Sequence, residues 1–362
     1  MHLTCLFVRL LCCGNSYVAR YAPASTPRKR TKILRQMHKL FHSHSLICLV
    51  LHNSQIIFDC KIGYTMVHIL LNGKKAGYDS VRSAITALRK QVDKVEVRVT
   101  YEYGDIERFV NEAVRDNVQR LVIGGGDGSV NEVVNAIAKF PVEQRPELAI
   151  LPLGTANDFA SACQIPVNSF EALHLAVSGK CTAIDIVKTN DRYFVNMATA
   201  GFGAQITAET PVELKNFLGG GAYTLTGVLK AINFTPFKGR LKTPDIEVEQ
   251  TGVVAAVGNG RQAGGGQVLA PTAFINDGLL DVVIISQFPL SDIPRVLEEI
   301  RNPSADGLYI KYFQTPWVES SSDEIIPVNL DGEPYQNKEI RFEVIANAIN
   351  LVLPESCPCL KK

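Results

Sequence analysis

The sequence contains no run of about 18 uncharged apolar residues, the least that a membrane-crossing helix needs. Its most hydrophobic early stretch, residues 46–51, stops at His52-Asn53. There is also little charge of one sign. A formal net charge of +1 over 362 residues carries no nucleic-acid signal. That balance hides an asymmetry, because residues 1–65 hold nine Lys/Arg and one acidic residue, Asp59. The remaining residues carry 28 basic and 35 acidic side chains. Five of the seven histidines and five of the nine cysteines also precede residue 66. Cysteine is sparse beyond that point. Cys163, Cys181, Cys357 and Cys359 are too scattered for a disulfide framework, which fits a reducing cytosol. Cys357-Pro358-Cys359 has no second pair and no His beside it, so no metal site is expected there.

Residues 1–65 show no sustained periodicity. Leu10-Leu11-Cys12-Cys13-Gly14 has some likeness to a lipoprotein signal, but Arg9 interrupts its apolar stretch and no basic cluster opens it. Residues 22–32 are rich in Pro, Thr and basic side chains and read as disordered. The compositional break, with a strand opening at Val67, makes 1–65 a disordered or mis-started extension with Met66 as the expected start. An intact mass of the natively expressed protein that includes 1–65 would refute that expectation.

Residues 66–362 centre on Gly124-Gly125-Gly126-Asp127-Gly128-Ser129. Leu121, Val122 and Ile123 before it form a short buried-strand pattern. Val130, Val133, Val134 and Ile137 after it form a helical stripe. A strand, a glycine loop and a helix in succession aim backbone N–H groups and the positive end of a helix dipole at an anion. The loop is not a Walker A motif, since no Lys follows it, and Ser129 stands where the dinucleotide fingerprint needs Gly. Asp127 is repelled by phosphate unless a cation lies between them. A tight turn that needs glycines for geometry alone is the competing reading.

Strands are expected over 67–71, 95–100, 121–123 and 147–151, alternating with helices over 80–90 and from an Asp105 cap to Asn117. That alternation implies a parallel sheet with ligands at the carboxyl ends of its strands. Thr100, the glycine loop and Leu153-Gly154-Thr155-Ala156-Asn157-Asp158 should therefore share one edge. The last segment also reads as an ordinary helix cap using Thr155 or Asn157. From residue 182 strands predominate, over 182–188, 193–198, 246–249, 253–257, 280–286 and 340–344, with a helical interruption at 211–230. This second half is expected to be mainly antiparallel. Within it, residues 258–266 form a glycine-rich loop with Arg261, which suits either a phosphate grip or a mobile loop. Asn276-Asp277-Gly278 reads as a turn that could hold a hard cation, and Asp331-Gly332-Glu333 as a solvated hairpin turn.

Taken together, these five motifs resemble the YegS-type bacterial lipid kinases of the diacylglycerol-kinase-like superfamily, over nearly all of residues 66–362. The resemblance implies an α/β plus all-β protein of two domains with the active site in the cleft between them. The first is a parallel α/β nucleotide-binding domain over 66–188. The second is a mainly antiparallel β domain over 189–345 for the lipid, and residues 346–362 return to the first. It implies ATP at Thr100, Gly125, Gly126, Asp127, Gly128, Ser129, Val130, Asn131 and Thr155. A structural Mg²⁺, or Ca²⁺, would lie on the Asp277 side chain and the carbonyls of Phe274 and Leu279. Glu333 would be the general base, and a further Mg²⁺ would accompany ATP near Asp127 and Asp158. Ser129 replaces the more usual Thr and keeps the hydroxyl. The implied protein is a transferase of phospholipid biosynthesis, cytoplasmic and visiting the membrane surface, with no nucleic-acid partner. Its acceptor would resemble phosphatidylglycerol, diacylglycerol or a sphingoid base. A kinase for NAD or a small alcohol, and a non-catalytic nucleotide-binding regulator, are the alternatives.

Overall fold

Short β-branched runs become strands and the 3.6-period stretches become helices in the computed structural model, which describes residues 18–20, 47–52, 55–60, 66–92, 94–201 and 236–362. Two compact units divide the chain between Thr65 and Met66. In the first, β1 (Val18–Arg20), β2 (Ile47–His52) and β3 (Gln55–Cys60) pair antiparallel in the order β1-β3-β2. These three strands are not among the elements expected of a disordered or mis-started extension, and its β-branched runs find partners in them. The Pro- and basic-rich residues 22–32 and the helical interruption at 211–230 lie outside the described residues.

The second unit begins with β4 (Met66–Asn72), α1 (Asp79–Leu88), β5 (Lys94–Thr100) and α2 (Asp105–Arg115). Then come β6 (Arg120–Gly125), α3 (Asp127–Ala138), β7 (Glu147–Pro152), α4 (Asp158–Ala162) and α5 (Ser169–Ser178). The four strands are parallel in the order β5-β4-β6-β7. β4 and β6 are buried almost throughout, as central strands covered on both faces must be. Leu70, Leu121 and Ile123 pack with α2 and α3. The alternate residues Ile69, Leu71 and Val122 are equally buried on the other face, which α1 and α5 cover. The helices bury the expected stripes, Val81, Ala84, Ile85 and Leu88 on α1 and Ile106, Phe109, Val110 and Ala113 on α2.

Asp105 does not cap α2 as the sequence suggests. Gly104 is the cap residue, in a left-handed conformation, and the Asp105 carboxylate reaches backwards to accept the N–H groups of Tyr101 (2.7 Å) and Glu102 (3.1 Å). Those amides and the Arg108 guanidinium hold its carboxyl down at about 2.

The second half adds β8 (Cys181–Lys188), β9 (Tyr193–Phe194), β10 (Met197–Gly201), β11 (Phe237–Lys242), β12 (Glu247–Gly252) and β13 (Val254–Gly258). After β14 (Gln262–Ala263) and β15 (Gln267–Val268) come β16 (Leu280–Ile285), α6 (Ile293–Arg301) and β17 (Ile310–Thr315). The last two strands, β18 (Trp317–Leu330) and β19 (Glu333–Val352), are the longest. Pairing here is antiparallel, in the order β17-β16-β13-β10-β18-β19. The strand expected over 193–198 is broken at Asn196, because the amides of Val195, Asn196 and Met197 bond to the Asp331 carboxylate. β19 passes from β18 along β8, bulges at Asn347 and ends with Leu351 beside Leu148 of β7. Among the described residues no helix is long and apolar enough to cross a membrane.

Candidate active site

The strand order places β4 at a topological switch point, since the chain moves from β4 to β5 on one side and then to β6 on the other. Ligands of such sheets bind beyond the carboxyl ends of the strands at that point. The register aligns those ends, with Asn72 opposite Thr100, Leu71 opposite Gly124, and Gly125 opposite Pro152. Thr100, the glycine loop and Thr155 therefore lie along one edge, and Thr155 is exposed there. Thr100 Oγ1 donates to the Leu71 carbonyl (3.4 Å), which ties β5 to β4 at that edge.

Gly126 is the cap of α3, and no side chain accepts a hydrogen bond at this helix start. Val130 N–H bonds back to Gly126 O (3.1 Å), so the N–H groups of the preceding helical residues have no intrahelical acceptor. The loop is shaped by close approach. A Cβ on Gly154 would stand 2.5 Å from the Cα of Gly126, so the β6–α3 and β7–α4 loops touch through backbone alone. Leu153 N–H donates to Gly125 O (2.8 Å) and Asp127 Oδ1 accepts the Phe159 N–H (3.2 Å), locking the same two loops.

Glu333 reaches this loop from more than 200 residues away. Its Oε1 lies 3.1 Å from where a Cβ on Gly128 would be, and the residue is exposed. It sits there because Asp331 (φ 51°) and Gly332 (φ 93°) form a two-residue turn between β18 and β19, both with positive φ as a type I′ hairpin requires. The hairpin is as expected, but Asp331 is not solvated. It is buried, accepting the amides of Val195, Asn196 and Met197 and the Asn131 side-chain amide (3.1 Å). Burial pushes its carboxyl up against those bonds.

The sequence-derived nucleotide residues thus divide. Gly125, Gly126, Asp127, Gly128 and Ser129 line the loop and helix start. Val130 is buried in the core. The Asn131 amide is committed to Asp331 and to the Tyr193 carbonyl, so it joins the two halves of the unit. Glu132, which sequence reasoning passed over, is half-buried, and its carboxyl is raised by burial and by the Glu333 charge. Asp158 is buried and accepts the N–H groups of Gly265 (2.9 Å) and Gly266 (2.6 Å), which clamps the β14–β15 turn onto the first domain. Its carboxyl is raised by burial, and the Asp127 charge adds to this. Arg261 donates to the carbonyls of Ala273 and Pro358, so two of its donors hold backbone.

The Asp277 turn forms a second group. Asp277 Oδ1 accepts the Leu279 N–H (3.1 Å), and Asp185 Oδ2 accepts the Gly278 N–H (2.7 Å). Asp277 Oδ2 is buried without a hydrogen-bond partner, and the Lys361 ammonium stands 3.7 Å away. Burial raises this carboxyl. A buried carboxylate oxygen without a hydrogen bond fits a hard cation.

Comparison with known proteins bears on this geometry. Residues 66–189 match the model of the diacylglycerol kinase catalytic domain. Residues 196–353 match that of the YegS C-terminal NAD kinase beta sandwich-like domain. A protein of Shewanella frigidimarina named "probable lipid kinase YegS-like" is 51% identical over 297 residues, which is 82% of this chain and 96% of that one. The chain belongs to the YegS-like family. Another such relative, from Chromohalobacter salexigens, is 44% identical over 293 residues, 81% of this chain and 94% of its own. The crystal structure of a diacylglycerol kinase from Bacillus anthracis shares the fold, with a TM-score of 0.64, 22% identity, and coverage of 81% of this chain and 98% of that one. The YegS-like chain therefore carries a kinase catalytic domain joined to a β domain.

Proposed function

We propose that this protein is an ATP-dependent lipid kinase that transfers the γ-phosphoryl group to a hydroxyl of a diacylglycerol- or phosphatidylglycerol-like acceptor, with Glu333 as general base. One observation carries the reading, the Glu333 carboxylate standing against Gly128 at the start of α3. Phosphoryl transfer is chiefly positioning and charge stabilisation. The unbonded N–H groups at the start of α3 receive the phosphates. As the acceptor oxygen bonds to the γ-phosphorus, Glu333 takes its proton and ADP leaves with the β–γ bridging oxygen. Asp127 would hold the Mg²⁺ that accompanies ATP. Asp277, with the carbonyls of Phe274 and Leu279, would hold a structural Mg²⁺. When bound, the nucleotide's Mg²⁺ neutralises phosphate charge. A lipid acceptor is supported by an apolar cavity in the β domain, lined by Phe237, Leu241, Val257, Ile284, Val318 and Phe342. Its wall includes Val328 and Asn337, on the two strands that meet at the Glu333 hairpin.

The test is transfer of labelled phosphate from ATP by the full-length protein to diacylglycerol, phosphatidylglycerol and a sphingoid base in mixed micelles, with NAD as a soluble control. Label in a lipid is expected. Glu333→Gln should lose about 10²–10⁴-fold in turnover while ATP binding persists. Label in NAD alone would reject the lipid reading, and a near-native rate in the variant would reject Glu333 as the base.

A further inference from the structure

Three cysteines that fit no disulfide framework meet in space. Cys163 caps the end of α4, one turn beyond the loop that begins at Leu153, while Cys357 and Cys359 lie in the tail after β19. Their sulfur atoms all lie within 4.8 Å of one another, and all three residues are buried. No disulfide joins them. A single buried cysteine is commonly a small apolar residue. Three converging thiols beside a cation are a different environment.

The cation is Arg261. Its Nη2 donates to the carbonyl of Pro358 (2.7 Å), the residue between the two tail cysteines, and its positive charge acts on both of them. Hydrogen bonds to Cys163 and Cys359 hold the Cys357 thiol well below the usual thiol range. The same contacts push the Cys163 and Cys359 thiols up, so it is the convergence of three sulfur atoms, and not their acidity, that marks the site. The tail is also tied to its neighbours, since Ile275 N–H donates to Cys359 O (2.9 Å) and Lys361 N–H to Asn276 Oδ1 (2.7 Å).

We propose that Cys163, Cys357 and Cys359 form a three-thiolate site for a soft divalent metal ion of the Zn²⁺ class, which fastens the C-terminal tail to the nucleotide-binding domain. Thiolates select soft ions over Mg²⁺ or Ca²⁺. Three thiolates around a divalent ion leave one negative charge, which the Arg261 guanidinium offsets. Binding releases to solvent the protons that the thiols carry, and no oxidant is needed. A Zn²⁺ ion takes a fourth ligand. The Cys359 thiol donates to the Ala162 carbonyl (3.3 Å), a bond given up when that thiol loses its proton.

The test uses reduced full-length protein under anaerobic conditions, with Cys5, Cys12, Cys13, Cys48 and Cys60 replaced by Ser so that those thiols take up no ion. It is titrated with Zn²⁺ against a chromophoric chelator and with Cd²⁺ to read the thiolate-to-metal charge-transfer band. One tight equivalent with that band is expected, together with a rise in melting temperature. Cys357→Ser and Cys359→Ser should each lose the tight equivalent, and Cys181→Ser should keep it. Circular dichroism establishes that each variant is folded. If either tail variant fails to fold, the protein carrying only the five N-terminal replacements decides alone, by Zn K-edge absorption that counts sulfur neighbours. No tight equivalent, one that survives folded Cys357→Ser, or an edge without sulfur neighbours would overturn the site. So would air oxidation to a Cys163–Cys357 disulfide in protein whose reduced form takes up no metal.

Discussion

Asp331 and Glu333 are two residues apart and have opposite surroundings. Asp331 is buried under four hydrogen bonds, whereas Glu333 is exposed beside Gly128. The first fixes the turn and leaves the second exposed, as the proposed general base requires. Asp331→Ala strands three backbone amides and the Asn131 amide, and should cost about 2–4 kcal/mol in urea unfolding. Loss of activity without loss of stability would contradict that division. Gly128→Ala tests the other residue. Its Cβ would press on the end of the Glu333 side chain at 3.1 Å, a contact that a flexible carboxylate can relieve by moving. Turnover should fall several-fold, as misplacement of the proposed base predicts, with the melting temperature nearly unchanged. Steady-state kinetics beside a melting curve separates the two effects.

At the scale of elements, the glycine loop works because it belongs to a pair. The β6–α3 and β7–α4 turns touch through Gly126 and Gly154 and are bonded through Asp127 to Phe159. A similar device steadies the β5–α2 turn next to Thr100, where Asp105 gathers the amides of Tyr101 and Glu102. This element makes a pH prediction. The Asp105 carboxyl sits at about 2 in the folded protein, below its ordinary value of 3.8. A depressed carboxyl stabilises the fold fully above its unfolded value and loses that contribution as pH falls through the folded value. Asp105→Asn should therefore be less stable than wild type at neutral pH. The gap should close between the ordinary carboxyl value and about 2. Urea unfolding of both proteins across that range would reveal it, and a gap independent of pH would refute the assignment.

At the scale of the molecule, two acidic residues and one long strand hold the halves of the second unit together. Asp158 grips the Gly265 and Gly266 amides, Asp331 grips Asn131, and β19 runs from Glu333 at the candidate site to Leu351 in the parallel sheet. Every candidate residue lies within the unit from Met66 to Lys362. Removing residues 1–65 should therefore leave ATP-dependent lipid phosphorylation near the full-length rate, measured side by side in the micelle assay. A collapse of activity would assign the extension a role.

The sequence by itself determined the parallel sheet, the helix stripes and the glycine loop, because strand and helix periodicity and glycine geometry are local properties that neighbouring residues express together. It also marked the hairpin through the Asp-Gly pair, whereas Glu333 was singled out only by the resemblance to a known family. Only the tertiary structure decided that Asp331 is a buried acceptor rather than a solvated turn residue. The same holds for the backward reach of Asp105, for Asn131 facing Asp331 rather than remaining free for a ligand, and for Cys163 meeting the tail cysteines. Each of these depends on groups brought together from distant parts of the chain or on which way a short side chain turns, and one-dimensional spacing contains neither.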